Sequence, residues 1–149
     1  MTFIVNFLFS MFSTIAFSVI TNIPRRAFWA CGFTGATGWM TFWILQTYFH
    51  QNIGIANFFG ALMIGLISIF FSKTMHMPVI VFNVPSLVPL VPGGPAYMAV
   101  RYMMNQEFTE SMEKLVTVLV TSGAIAIGFM FTNLIERALK KTRLNLRSK

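Results

Sequence analysis

Five blocks free of Asp, Glu, Lys and Arg follow one another along the chain, at residues 3–20, 27–49, 53–72, 77–100 and 115–135. Each holds about twenty residues, enough for an α-helix to cross roughly 30 Å of hydrocarbon. The pattern predicts an all-α integral membrane protein with five transmembrane helices. The first block lacks the positive n-region of a signal peptide, and no small-residue cleavage pattern follows it before Arg25 and Arg26. It is expected to be a retained span.

Small residues mark where these helices touch. Gly32, Gly35 and Gly38 recur in the second block, with Thr34, Ala36, Thr37 and Thr41 nearby; Gly60, Ala61 and Gly65 lie in the third, Ala124 and Gly128 in the fifth. Such surfaces let helix backbones approach closely. The hydroxyls of Thr34, Thr37 and Thr41 have a second option, to face a polar pathway.

The fourth block breaks the pattern, because Pro85, Pro89, Pro92 and Pro95 fall within it, with Gly93 and Gly94 between the last two. Each proline lacks the N–H that bonds four residues back, at about 3 kcal/mol per site in a helix interior, or roughly 12 kcal/mol for four. This helix is therefore expected to be broken. Irregular backbone survives at membrane depth only where protein buries it or water reaches it, so a cleft is implied. After the break Gly93 and Gly94 permit unusual backbone angles, and Pro95 suits the first turn of a new helix through Ala96 and Tyr97 toward Arg101. Its N-terminus suits a carboxylate, and the freed carbonyls upstream suit an ammonium or a cation. Interrupted helices of this kind serve transporters, and the same break can also serve packing alone. Asn83 and Ser86 flank it and can hydrogen-bond a polar solute, whereas Tyr97 is a candidate for either contact or packing.

Composition agrees with a membrane protein: of 149 residues, 56% are hydrophobic and only 10% charged, with 17 Phe and 11 Met. No separate soluble domain fits, so residues 1–136 form one transmembrane domain and residues 137–149 a basic cytoplasmic tail. The net charge of +7 raises nucleic acid as a partner, yet six of eleven basic residues lie in that tail. With five crossings, one side collects Arg25, Arg26, Lys73 and the tail cations, nine in all, against Arg101 and Lys114 on the other. The positive-inside rule then puts the N-terminus outside and the C-terminus in the cytoplasm. The tail is expected to bind anionic lipid headgroups at about 1 kcal/mol per cation, with no nucleic acid. Glu107, Glu110 and Glu113 recur every third residue ahead of the last block and can form one acidic helical face, read as a solvated cap on the last helix with Glu110 and Glu113 near Lys114 or as a cation-collecting mouth.

The segments "NIPRRAFWACGFTGATG" at 22–38 and "VPLVPGGPAY" at 88–97 resemble the small, YjjB-like membrane subunit of the threonine/serine exporter (ThrE) family. The resemblance covers nearly the whole chain and is carried by Asn22, Pro24, Arg26 and Ala27 in the first motif and Pro89, Pro92, Gly93, Ala96 and Tyr97 in the second. It implies export of small polar metabolites, amino acids such as threonine and serine or dicarboxylates. It also implies a larger membrane subunit with a cytosolic region as partner, a hetero-oligomer in a bacterial cytoplasmic membrane. Pro95 departs from the family pattern, where a residue with a backbone N–H is expected, and leaves one donor fewer at the helix end.

On their own chemistry, Arg25 and Arg26 stand at the cytoplasmic mouth as topology anchors or, for Arg26, as a guanidinium that greets a carboxylate. Asn22 is expected to cap its turn. No aspartate exists and Glu136 sits at the membrane edge beside Arg137, so any coupling carboxylate must come from the partner. His50 and His76 fall at opposite surfaces. Cys31, the only cysteine, is a small packing residue. No Ser, His and acid set, no paired aspartates and no metal-ligand cluster can be assembled, so neither an enzyme nor a cofactor is expected. Two alternatives stand beside export: a scaffold subunit with no substrate site of its own, and Cu(I) handling by Met75, His76, Met77, Met103 and Met104.

Overall fold

The computed structural model describes the backbone of residues 2–147 and the side chains of residues 3–138. Six α-helices and two 3-10 turns make up the described residues: α1 (Thr2–Ile20), a turn at Arg25–Ala27, α2 (Phe28–Thr47), α3 (Ile53–Met75), α4 (Ile80–Ser86), a turn at Val88–Leu90, α5 (Gly93–Met104) and α6 (Phe108–Arg147). Residues 3–20, 53–75 and 108–138 are long and apolar enough to cross a membrane. The α2 helix has the length but not the apolarity, because glycines, threonines and tryptophans replace aliphatic residues on a helix packed between α1, α3 and α4.

Helix ends are built without glycine. Asn22, His50, His76 and Gln106 take positive φ of 54°, 46°, 53° and 64°. At α3 the N–H of Met77 reaches the carbonyl of Ser72, and at α5 that of Glu107 reaches Tyr102, closing the last turn against the reversing chain. Asn22 thus turns the chain through its backbone. His50 and His76 sit at opposite ends of the bundle, since α2 and α3 run antiparallel.

Side-chain register sets the directions. Phe3 meets Trp43, with ring centroids 6.2 Å apart, and Thr14 lies against Gly35, so α1 and α2 are antiparallel. Gly38 meets Ile64 while Phe33 meets Phe71, so α2 and α3 are antiparallel too. Gly54 lies against Val120, Ala61 against Gly128 and Gly65 against Thr132, which makes α3 and α6 parallel. The chain between α3 and α6 must therefore travel back along the bundle. Phe82 stacks on Phe71 near the end of α3, Leu90 covers Gly60, and Ser111 of α6 donates to the carbonyl of Ala99 at 2.8 Å.

Two apolar clusters hold this arrangement. Phe42, Ala56, Ala61, Ile64, Leu90 and Ile125 join α2, α3, α6 and the second 3-10 turn; Ala27, Ala30, Cys31, Met77 and Phe82 join the basic end of α2 to α4. The small residues predicted as contacts are used so: Gly32 accepts Met11 and Ile15, and Gly65 accepts Thr132.

Three boundaries differ from the charge-based reading. The last helix starts at Phe108, ahead of the charge-free block, so Glu110 and Glu113 lie on it as the expected acidic cap, and Lys114 pairs with Glu113 at 3.4 Å. Helical hydrogen bonds do not stop where charge begins. The backbone of α6 also continues to Arg147, although the side chains of Lys140, Lys141, Arg143 and Arg147, and Lys149 altogether, lie outside the described residues. Finally, α5 packs on α6 beyond the ends of α2 and α3: Phe108 precedes Val120 by twelve residues, about 18 Å of helix.

Candidate functional site

Pro85 sits inside α4, and its missing N–H frees the carbonyl of Val81 one turn back. The Cys31 thiol of α2 supplies a substitute, with Sγ 3.6 Å from that oxygen. Nearby, fully buried Ser86 donates to the carbonyl of Cys31 at 3.0 Å. These two bonds fasten α4 to α2. Pro89 lies in the second 3-10 turn, Pro92 precedes α5 with φ −75° and ψ 52°, and Pro95 falls in the first turn of α5, where a missing N–H matters little. The fourth segment is thus helix, 3-10 turn, then helix.

On its α1 side the break meets a polar row. On α1, Asn6, Ser10, Thr14 and Ser18 recur every fourth residue and form one seam; Ser10, Thr14 and Ser18 are buried. Ser10 donates to the carbonyl of Asn6, Thr14 to that of Ser10 and Ser18 to that of Thr14, each at 2.8 Å. Their protons are spent on their own helix. What the seam offers inward is acceptor lone pairs, which suit an ammonium or a hydroxyl proton. Trp39 of α2 directs its indole N–H to Asn6 Oδ1 at 3.4 Å. Asn6, Phe9, Ser10, Ser13, Trp39 and Pro89 line an open niche of about 200 Å³.

A second polar feature lies nearer the basic end. Among the described residues, Ser68 Oγ and Asn83 Oδ1 are the buried side-chain polar atoms without a hydrogen-bond partner. Ser68 lies on α3 and Asn83 on α4, two helices that pack together where Phe71 stacks on Phe82, with ring centroids 6.1 Å apart. An unmet buried acceptor costs about 1–3 kcal/mol and calls for water or a polar visitor.

The residues singled out from sequence do not all converge. Pro89 lines the niche, Ser86 and Pro85 are buried against α2, and Asn83 is half-buried with its oxygen unmet. Gly93 and Gly94 are exposed and have no positive φ; nothing stands within 4 Å of where a side chain would begin. Ala96 is half-buried and Tyr97 68% exposed on α5, while Arg26 is exposed at the basic end with Arg25 and Lys73. None of these lines the niche. The hydroxyls of Thr34, Thr37 and Thr41 donate to Ala30, Thr34 and Thr37 on their own helix. Met75 and Met77 pack with Ala27 and Phe82, whereas Met103 and Met104 lie at the far end of α5; among the described residues no group of three or more His, Cys, Asp or Glu side chains could hold a metal. Sequence reasoning missed the α1 seam, whose four-residue spacing was there to read.

The family model described as Threonine/Serine exporter, ThrE, matches residues 6–135, from Asn6 of the seam through the break to Ile135. The chain belongs to the ThrE family. ThrE proteins are transporters rather than enzymes, and the apolar helices agree with a membrane exporter. No solved structure matches the chain.

Proposed function

We propose that this ThrE chain is the small subunit of a two-component exporter of small polar metabolites, threonine- or serine-type amino acids or dicarboxylates, in a bacterial cytoplasmic membrane. Its five passes along the bundle axis are five membrane crossings, with the end bearing Arg25, Arg26 and Lys73 in the cytoplasm and the α5–α6 turn outside. Solute enters past Arg26, meets the unmet oxygens of Asn83 and Ser68, and leaves by the niche at Pro89. A larger membrane subunit with a cytosolic region supplies the coupling carboxylate that this chain lacks. Cations of the α6 tail hold anionic lipid at the cytoplasmic face.

One observation carries this reading: on its α1 side the proline-interrupted segment, at Pro89, shares an open niche with the polar side chains of Asn6, Ser10 and Ser13, although Leu90 beside it packs into the apolar core. Thr14 of the same row also serves helix packing against Gly35, whereas Asn6, Ser10 and Ser13 face the niche and leave acceptors there for a solute. Acceptors also fit the ammonium common to both amino acids named. A second reading, a scaffold without its own substrate contact, draws on the separation of Gly93, Gly94, Ala96, Tyr97 and Arg26 from the niche.

The two separate in sealed vesicles holding this chain alone, the larger subunit alone, or both, loaded with labelled threonine, serine or a dicarboxylate. Export by the pair, with substrate preference altered by Asn6→Ala or Ser13→Ala while the complex stays assembled, is the expected result. Export by the larger subunit alone at the full rate would leave the scaffold reading.

A further inference from the structure

The niche beside Pro89 carries no charge: none of the side chains that line it is Lys, Arg, His, Asp or Glu. Threonine and serine present an ammonium and a carboxylate, a dicarboxylate only carboxylates. Which of these groups the niche can hold is therefore set by its neutral donors and acceptors.

Its donors are largely spent. The Ser10 proton goes to the carbonyls of Asn6 and Phe7, at 2.8 and 3.0 Å, and the single N–H of Trp39 goes to Asn6 Oδ1 at 3.4 Å. Pro89 has no N–H. Ser13 has the carbonyl of Phe9 one turn back for its proton, the use that Ser10, Thr14 and Ser18 make of the carbonyls four residues before them. The amide of Asn6 can donate, but one neutral amide does not replace the counter-charge that a carboxylate needs once it leaves water. Nor do helix ends supply it. Ser10 and Ser13 stand about two turns or more past the start of α1 at Thr2, beyond the reach of its dipole, and no residue of α5 lines the niche.

What the niche offers is the oxygen lone pairs of Ser10 and Ser13 beside the rings of Phe9 and Trp39. An ammonium has three donors and no acceptor, so hydroxyl oxygens accept from it and an aromatic face attracts it. A carboxylate meets the same lone pairs as repulsion. The volume of about 200 Å³ equals about six or seven waters at roughly 30 Å³ each, room for a solute of only a few carbon atoms.

We infer that the niche reads the protonated amino group of its solute and leaves the carboxylate unread. Its ligands then include small amino alcohols, which keep the ammonium and hydroxyl of serine without its carboxylate, and exclude dicarboxylates. The inference rests on the niche being a solute site of the two-component exporter and narrows the class of solute it takes.

Serine taken apart tests it, in sealed vesicles that hold both full-length subunits and labelled serine. 2-Aminoethanol is serine without its carboxylate, and 3-hydroxypropanoate is serine without its amino group. From inside, 2-aminoethanol should inhibit export at concentrations within about tenfold of unlabelled serine, whereas 3-hydroxypropanoate and succinate should need about tenfold more again. Ser13→Ala removes an acceptor at an exposed position and should raise the inhibitory concentration of 2-aminoethanol about fivefold, the equivalent of one lost hydrogen bond, with the subunits still co-purifying. Inhibition by 3-hydroxypropanoate or succinate as strong as that by 2-aminoethanol overturns the inference, as does unchanged inhibition by 2-aminoethanol in the Ser13→Ala exporter, or export of labelled succinate without export of serine. Each of these leaves the two-component reading intact, whereas export of neither serine nor succinate by the wild-type pair sinks both.

Discussion

The thiol of Cys31 has a task set by a residue fifty-four positions away in sequence. Pro85 leaves the Val81 carbonyl without its helical donor, and Cys31 Sγ stands 3.6 Å from that oxygen at the junction of α2 and α4. Cys31→Ala removes the donor and some packing. Leaving a buried acceptor unmet costs about 1–3 kcal/mol, and because a thiol is a weak donor the low end, about 1 kcal/mol, applies here. The lost sulfur adds a packing penalty of about 1 kcal/mol. In a Pro85→Ala background the backbone N–H returns, Val81 is satisfied within α4, and Cys31→Ala should cost only the packing share. The double-mutant cycle therefore predicts a coupling of about 1 kcal/mol, roughly fivefold in the folding equilibrium. Reversible unfolding of the wild type, both single variants and the double variant in mixed micelles, followed by tryptophan fluorescence, measures it. Equal costs for Cys31→Ala in the two backgrounds would refute the reasoning.

Other substitutions probe the same packing and the niche. Ser86→Ala should destabilise by about 1 kcal/mol, because Ser86 is fully buried and bridges two helices; Thr74→Ala, whose hydroxyl is exposed on its own helix, should stay within about 0.5 kcal/mol, both read from unfolding midpoints. Gly65→Leu drives a side chain into Thr132 and should lose about 1–3 kcal/mol, whereas Gly123→Ala in the isolated chain should be neutral or gain up to about 1 kcal/mol of helix propensity. Asn6→Ala should raise the solute concentration for half-maximal export about fivefold, the equivalent of one lost hydrogen bond, with co-purification of the two subunits unchanged.

Much of the fold was legible because charge avoidance and helix length coincide where a helix is buried in lipid. The reading of residues 3–20 and 53–72 lies within three residues of α1 and α3, and the break falls where the prolines stand. Charge avoidance alone does not give the limits of α6, since charge marks where a membrane ends; the three-residue spacing of Glu110 and Glu113 did point to a helical cap there, and the run to Arg147 had no such signal. The residues singled out from sequence lie on both sides of the break. Gly93, Gly94, Ala96 and Tyr97 share a motif with Pro89, but the turn at Val91 and Pro92 carries them onto α6, away from α1. Conversely Asn6, Ser10, Thr14 and Ser18 were hidden inside a block judged by its lack of charge, although hydroxyls one turn apart form a polar line that no charge count registers. Tertiary register, such as the parallel run of α3 and α6, was not expressed by any local pattern.

The account turns on a water-filled niche beside Pro89, with Asn6, Ser10 and Ser13 as its polar edge. Its most direct test is thiol chemistry at position 13 in the assembled, reconstituted exporter, using Ser13→Cys in a Cys31→Ser background and a membrane-impermeant thiosulfonate. A cysteine there should react, threonine or serine should slow it, and Phe12→Cys, one residue round the helix and 60% exposed, should stay inert because a thiolate does not form among acyl chains. If the cysteine at 13 is as inert as the one at 12, with solute making no difference, no watery niche exists at the break and the account is contradicted.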